Sequence, residues 1–194
     1  MADKIHVQAR NIWFANGLAV DEEETFIMLS ETSMGRLLKY NLVGPNQGKL
    51  EVVVDGLPGL VDGADCDKAY CYSPLPSLWP ALVRRLRSLP PSMEAWLKTF
   101  LMMLPKSLAP KATKYGGVVE VAVATGDESS SGKITRFFQD PSGECIHGIT
   151  GVTVHDGKLY LGSLENNFIG VLDLGAPIYD SSPFLIFSNE TVED

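Results

Sequence analysis

The chain is poor in cysteine, in basic residues and in long apolar runs, and each shortage excludes a class of protein. Three cysteines in 194 residues do not make the dense disulfide framework of a small secreted scaffold. With 16 Lys and Arg against 24 Asp and Glu, and a net charge of -8, the balance argues against a general nucleic-acid binder, and the only dense basic cluster, Arg84, Arg85 and Arg87, lies inside an apolar segment. No run reaches the roughly 18 apolar residues that span a bilayer, and no signal peptide is present.

The odd number of cysteines leaves at least one thiol free or paired with another chain. Cys66 and Cys71 are close enough in sequence to bridge across a hairpin, and Cys145 stands apart. Three reduced, partly buried thiols fit the sequence equally well. The sequence therefore leaves the pairing open.

What the chain does contain is a repeated set of short apolar runs separated by polar turns. The first copy predicts strands at Gly17–Val20, Thr25–Ser30 and Arg36–Leu42, and the last copy begins at about Ile149. Between them, strand character recurs at 49–54, 69–73, 117–124 and 134–138, and a last strand is predicted at 183–188. Short antiparallel strands in repeated units are typical of a propeller, whose functional residues lie in the loops around a central channel.

The spacing of the two copies indicates how many units the chain holds. They lie 134 positions apart, and removing the 41 residues of 74–114 leaves 93, enough for two blades of roughly 40–50 residues. The sequence therefore predicts an all-β fold over 1–194, a partial β-propeller of about three blades. A closed propeller has typically 4–8 blades, so we interpret the chain as a fragment, a truncated gene model or one half of an assembly.

Residues 74–114 break the strand pattern with seven prolines and two apolar runs of helical spacing, 78–87 and 93–104. They predict a helical insert in the middle blade. Such an insert can pack against the propeller, cover the channel as a lid, or lie on a membrane surface. In the last case its apolar residues enter the interface and its basic residues meet anionic headgroups: Trp79, Trp96, Phe100, Met102 and Met103, with Arg84, Arg85, Arg87, Lys98 and Lys106.

Four strings in the sequence resemble the strictosidine synthase-like family, whose wider superfamily includes calcium-dependent lactonases. They are 14–20 (FANGLAV), 30–32 (SET), 56–62 (GLPGLVD) and 154–163 (VHDGKLYLGS). The resemblance implies the C-terminal half of a six-bladed propeller.

The resemblance also implies metal ligands. Asn16 corresponds to a channel asparagine that binds calcium through its amide oxygen, and Asp62 corresponds to the first residue of an Asp-Asn pair. The second residue of that pair is Gly63 here, which has no side-chain oxygen. Calcium takes 6–8 oxygen ligands, so the resemblance implies calcium in a complete family member and an incomplete ligand set in this chain. A turn role for Asn16 is the alternative.

For acid-base chemistry the resemblance directs attention to the stretch before His155. Strictosidine synthase uses a channel glutamate there, but this chain reads Cys145-Ile-His-Gly-Ile-Thr150, without a glutamate. This argues against amine–aldehyde condensation. His147 is the candidate catalytic base, because histidine titrates near neutral pH and the Thr150 hydroxyl does not; a hydrogen-bonded loop histidine is the alternative.

These observations predict a hydrolase of the arylesterase or lactonase type, acting on a small hydrophobic ester or lactone and inactive if the chain is only a fragment. The alternative is a non-catalytic propeller, either a scaffold or a peripheral membrane protein that touches the bilayer through 74–114. Nucleic acid is not an expected partner. The chain carries no localisation signal, and membrane or endomembrane association is expected only if a longer N-terminus resembles the family.

Overall fold

The computed structural model of the protein describes residues 5–68, 70–80, 93, 100, 103, 114–123, 132–175 and 185–188. Within these residues the secondary structure is nearly all β, which confirms the predicted fold class. A short 3-10 helix lies at Thr32–Met34. The strands are β1 (Ala15–Val20), β2 (Phe26–Glu31), β3 (Arg36–Asn41), β4 (Leu50–Val54), β5 (Gly59–Leu60), β6 (Asp65–Cys66), β7 (Tyr70–Leu75), β8 (Ser77–Leu78), β9 (Gly116–Ala122), β10 (Lys133–Asp140), β11 (Ile149–His155), β12 (Lys158–Ser163), β13 (Gly170–Asp173) and β14 (Leu185–Ser188).

The strands form three larger antiparallel sheets and one small pair. Sheet I has the order β1-β2-β3-β4, sheet II the order β14-β10-β9-β7-β6, and sheet III the order β11-β12-β13, while β5 pairs with β8. Sheet I is a four-stranded up-and-down unit, as in a propeller blade. Three stacked sheets agree with the three blades expected from the repeat spacing.

The strand predicted near the C-terminus exists, but it does not extend the last unit. Residues 185–188 form β14, which pairs with the outer edge of sheet II through β10. Sheet III therefore keeps three strands among the described residues. The sequence could not show this placement because pairing depends on where the tail folds back.

The sheets stack face to face around two apolar clusters. Side chains of sheets I and II, among them Met28, Leu37 and Val119, form the first cluster. Sheets II and III form the second, around Phe138 and Leu159. Burying a side chain of this size contributes roughly 1.5–3 kcal/mol, so the stacking between sheets supplies most of the apolar burial.

A buried ion pair also ties sheet II to sheet III. The Glu120 carboxylate is almost fully buried and accepts hydrogen bonds from the Arg136 guanidinium, which also donates to the backbone carbonyl of Leu174 at 3.0 Å. The hydrogen bond to Glu120 is the main reason that the pKa of Arg136 is raised.

The boundaries of the predicted insert need correction. It was predicted to begin at residue 74, but β7 continues to Leu75 and β8 follows it. Trp79, which only the membrane alternative placed at an interface, is buried, and its backbone N–H donates to the Pro58 carbonyl at 2.8 Å. The helical runs themselves are not seen, because apart from three isolated residues 81–113 lies outside the described residues. No described helix has the length and apolar character needed to cross a bilayer.

The cysteine pairing that the sequence left open is resolved. Cys66 and Cys71 form a disulfide across the β6–β7 hairpin, where they are cross-strand partners. Cys145 is free and exposed.

Candidate functional site

Three residue pairs ending in glycine lie side by side at the inner edges of the sheets. They are Asn16-Gly17 on β1, Asp62-Gly63 before β6 and Thr150-Gly151 on β11. The Gly17 N–H donates to the Asp62 carbonyl at 3.0 Å, and the Gly63 N–H donates to the Thr150 carbonyl at 3.0 Å. These bonds link sheet I to sheet II and sheet II to sheet III at the edge where the candidate site lies.

Glycine is required for this close approach. A Cβ atom on Gly17 would collide with the backbone of Gly63, and a Cβ on Gly63 would lie 2.7 Å from the Thr150 carbonyl oxygen. Gly63 is held further by Ser30 and Ser73, whose hydroxyls donate to its carbonyl. Gly63 was interpreted as a lost ligand position, and the structure adds that no side chain fits there without a backbone shift.

Asn16 and Asp62, the two candidate metal ligands, lie within hydrogen-bonding reach of each other. The Asn16 amide nitrogen donates to the Thr32 hydroxyl at 3.2 Å, and that hydroxyl donates to the Val61 carbonyl at 2.6 Å. Burial raises the pKa of the Asp62 carboxyl, and a hydrogen bond from Asn16 opposes part of that rise. Asp62 is therefore a partly desolvated carboxyl with one fixed amide donor.

His147 is held by loops on both of its sides. Its Nδ1 lies 2.8 Å from the Gly143 carbonyl oxygen, which can only accept, so Nδ1 carries a proton. Its Nε2 faces a Glu165 carboxylate oxygen at 3.2 Å. Its backbone is bonded to Asn166 and Ser163, at 3.0 and 2.6 Å. The ring is thus oriented with Nε2 as the nitrogen available for proton transfer whenever Glu165 moves aside.

Asp62 and His147 line the same cleft of about 320 Å³. One part of its wall is apolar and the rest carries hydroxyl, carboxyl, imidazole and ammonium groups. Asn16 does not line the cleft itself, but it contacts two residues that do, Thr32 and Asp62. The lining residues are Phe14, Thr32, Leu60, Asp62, Pro76, Ser77, Lys114, Tyr115, His147, Gly148, Thr150, Leu164 and Glu165.

Two charged residues of the cleft were not predicted from the sequence. Lys114 lies at the end of the Pro-rich segment, and Glu165 lies in the loop after β12. Neither belongs to a motif, so only the folded chain places them beside His147. Thr150, weighed earlier only as the residue in place of a catalytic glutamate, lines the cleft, and so does Thr32.

The oxygens gathered here do not fit calcium by themselves. Asn16 and Asp62 supply one amide oxygen and one carboxylate, whereas calcium takes 6–8 oxygens. The amide nitrogen of Asn16 is the group directed at Thr32 and Asp62. Within the part of the chain that the structure describes, no three His, Cys, Asp or Glu side chains form a metal-binding group.

Comparison with known proteins shows clear relatives. The chain is 28% identical over 180 residues to an adipocyte plasma membrane-associated protein from Salmo salar. It is 30% identical over 173 residues to the protein STRICTOSIDINE SYNTHASE-LIKE 10, and 31% over 171 residues to STRICTOSIDINE SYNTHASE-LIKE 3, both from Arabidopsis thaliana. These matches cover 85–88% of the chain but only 40–44% of the relatives. No family model matches the chain.

Proposed function

Because the chain belongs to the strictosidine synthase-like family, we propose that it is a hydrolase of small hydrophobic esters or lactones. One observation carries the proposal: His147, Asp62 and Lys114, which are distant in sequence, line one cleft together with an apolar wall. A base, a carboxyl and a cation beside an apolar surface suit a neutral substrate with a polar carbonyl group.

The proposed reaction is attack of water on the substrate carbonyl carbon. With its Nδ1 proton donated to Gly143, His147 uses the Nε2 lone pair to take a proton from water as the new carbon–oxygen bond forms. Glu165 is 61% exposed, so its side chain is free to swing toward solvent and admit that water. The carbonyl electron pair moves onto oxygen, and the intermediate then expels the alkoxide, which takes the proton from the imidazolium.

The other polar groups of the cleft stabilise the charge that develops during the reaction and orient the substrate. In this proposal Lys114, which lines the cleft, supplies the ammonium that offsets the charge developing on the carbonyl oxygen. Asp62 and Asn16 hold the polar end of the substrate by hydrogen bonds, while Phe14, Leu60 and Leu164 contact its apolar part. Calcium is proposed only for a longer family member that supplies further oxygens, and no step here depends on it.

The test is hydrolysis of phenyl acetate and of a simple aliphatic lactone by the purified chain. We expect His147→Gln to lower kcat/KM by roughly 10²–10⁴, the usual contribution of general base catalysis. His155→Gln, at an exposed β-turn outside the cleft, is the matched control and should stay near wild type. Asn16→Ala and Asp62→Asn should raise KM more than they lower kcat.

Two results would count against the hydrolase. One is no turnover of either substrate, with or without added calcium, accompanied by no calcium uptake in calorimetry. The other is equal activity of the His147→Gln and His155→Gln variants. Loss of turnover on chelation would instead contradict the metal-independent route given above.

A second candidate function is peripheral membrane contact through residues 74–114. It is supported by Met93 and Met103, which are 53% and 78% exposed, and by the membrane-associated names of several relatives. Large apolar side chains held in water favour an interfacial site. With Trp79 buried, the contact would fall on the later part of the segment.

Co-sedimentation with vesicles of mixed neutral and anionic lipid tests this candidate. Binding by the intact chain should weaken several-fold in the Met103→Asp variant and stay unchanged in Val43→Asp, which alters an exposed valine of the β3–β4 turn. If the intact chain stays in the supernatant, membrane contact through this segment is wrong.

A further inference from the structure

The imidazole of His147 lies between two oxygen atoms, a backbone carbonyl and an ionised carboxylate, that can only accept hydrogen bonds. Its Nδ1 is 2.8 Å from the Gly143 carbonyl oxygen, and its Nε2 is 3.2 Å from a Glu165 carboxylate oxygen. A neutral imidazole carries a single ring proton, so in either tautomer one nitrogen would direct its lone pair at an oxygen. Only the imidazolium, which donates from both nitrogens, satisfies both contacts. The arrangement in the structure therefore fits the protonated ring.

The two acceptors differ in how firmly the structure holds them. The Gly143 carbonyl belongs to a loop that is fixed by Asp140, whose carboxylate accepts the Gly143 N–H at 2.8 Å and the Cys145 N–H at 2.7 Å. The Glu165 side chain, by contrast, is 61% exposed. When the ring loses one proton, the proton on Nδ1 stays with the fixed carbonyl, and the Nε2 lone pair then faces a negative oxygen. The exposed carboxylate of Glu165 is the partner that can turn away into water.

The loop that carries Glu165 is attached to the His147 backbone by bonds that do not involve a titratable group. The Ser163 hydroxyl donates to the His147 carbonyl at 2.6 Å and accepts the Glu165 N–H at 3.0 Å. The His147 N–H donates to the Asn166 side-chain oxygen at 3.0 Å. Since these bonds do not change with pH, the loop stays beside the ring, and only the Glu165 side chain has to be ordered for the contact to form. Ordering one side chain costs little conformational entropy.

Other titratable groups surround His147 on its own loop, on the segments before β6 and β9, and on the β12–β13 loop. They are Asp62, Lys114, Tyr115, Asp140, Glu144, Cys145 and Glu165. Asp140 is engaged by backbone N–H groups, and the Tyr115 hydroxyl donates to Gln139. Lys114 lines the same cleft, and a cation near the ring disfavours a second positive charge there. The Glu165 carboxylate, in contact with Nε2, is the group that favours the charged ring.

We propose that His147 and Glu165 form a proton-dependent latch on the cleft, closed while the imidazole is protonated and open once it is neutral. A contact that favours the protonated ring is present at low pH and is lost as the pH rises, and histidine changes charge between about pH 5 and 8. The Nε2 proton passes to bulk water as the latch opens. The consequence for catalysis rests on the proposed hydrolase function: the same loss of a proton makes the base neutral and clears the path of the attacking water.

The first test detects the latch without any substrate, by NMR of the chain labelled with nitrogen-15 at its three histidines. Near pH 5 we expect a Nε2–H signal from His147 that is protected from exchange with water, and its loss in Glu165→Ala. Glu144→Gln, which removes an exposed carboxylate of the same loop outside the cleft lining, is the matched control and should keep the signal. Equal exchange in wild type and Glu165→Ala would overturn the proposal, as would a neutral ring that keeps its proton on Nε2.

The second test compares two variants in phenyl acetate hydrolysis. Near pH 6, Glu165→Ala should raise kcat/KM by up to about fivefold, because it removes an exposed ion pair that holds the ring protonated. Near pH 8, Glu165→Gln should lower kcat/KM by about fivefold, because its carboxamide donates one hydrogen bond to the neutral Nε2 and keeps the latch closed. Changes of the same sign in both variants, or none, would overturn the latch. Absence of turnover in every chain, with the NMR difference intact, would refute the hydrolase and leave the latch standing.

Discussion

At the scale of single residues, Asp140 fixes the loop that orients the His147 ring. Its buried carboxylate accepts hydrogen bonds from Ser142, Gly143, Cys145 and Ile146, at 2.7 to 3.1 Å. These hydrogen bonds hold the loop in a conformation in which the Gly143 carbonyl accepts a hydrogen bond from His147 Nδ1. Burial alone would raise the pKa of Asp140, but the hydrogen bonds outweigh burial and hold that pKa below its ordinary value.

The lowered pKa of Asp140 predicts a pH-dependent loss of stability. A carboxyl with a depressed folded-state pKa contributes fully above its unfolded pKa of about 3.9, and the contribution is lost as the pH falls toward the folded-state value. Asp140→Asn should therefore lower the free energy of unfolding by about 2 kcal/mol at neutral pH, with the difference from wild type shrinking below about pH 4.

Urea unfolding followed by fluorescence over this pH range measures the effect. The exposed Asp156→Asn substitution, at a β-turn position with φ of 49° that asparagine also adopts, is the matched control and should stay within about 0.5 kcal/mol of wild type. A pH-independent difference for Asp140→Asn would contradict a role for the ionised carboxylate.

The sequence identified part of the candidate site, but it gave the wrong environment for one acidic residue elsewhere in the chain. Asn16, Asp62 and His147 were named from motifs, and the fold places Asp62 and His147 on one cleft. By contrast, the run of four acidic residues at 21–24 predicts a solvated acidic turn, yet the Asp21 carboxylate is buried and accepts hydrogen bonds from Thr25 and Phe26. Composition shows that a carboxylate is present, but only backbone geometry shows which donors it meets.

At the scale of elements, the strands were largely predictable because alternation and turn residues are local signals. The predicted strands of sheet I agree with β1–β4 within one or two residues at each end. The turn at Asp156-Gly157, with both residues at positive φ, follows from the Asp-Gly preference of two-residue hairpins. Pairing partners were not predictable in the same way, as β14 on the edge of sheet II shows.

The disulfide of the β6–β7 hairpin gives a prediction at this scale. Closing so short a loop stabilises the fold by about 2 kcal/mol in the chain-entropy description, so Cys66→Ala should lower the unfolding free energy by that amount. Cys145→Ala, at the free exposed thiol, is the control and should have little effect.

Alkylation followed by mass spectrometry checks the pairing directly. In the denatured wild-type chain one cysteine should be modified before reduction and three afterwards. Modification of all three without reduction would show that the bridge does not form in solution.

At the scale of the whole molecule, the three stacked sheets together create the site. The cleft is lined by residues that flank strands of sheet I, by the segment before β6, and by Thr150 of β11 together with loops of sheet III, so no single sheet contains it. The stacking depends on glycines at the inner edge and on Arg136 of sheet II, which is paired with Glu120 and donates to the Leu174 carbonyl next to sheet III.

The sequence by itself determined the all-β class, the three repeated units and the family, and it named Asn16, Asp62 and His147 as candidate site residues. These follow from signals that are local in the chain: alternation, turn chemistry and motif strings. Only the tertiary structure decided that Lys114 and Glu165 join His147, that Cys66 pairs with Cys71, and that Gly63 has no room for a side chain. Those facts depend on contacts between distant segments, which stacking of the sheets fixes and which no local pattern encodes.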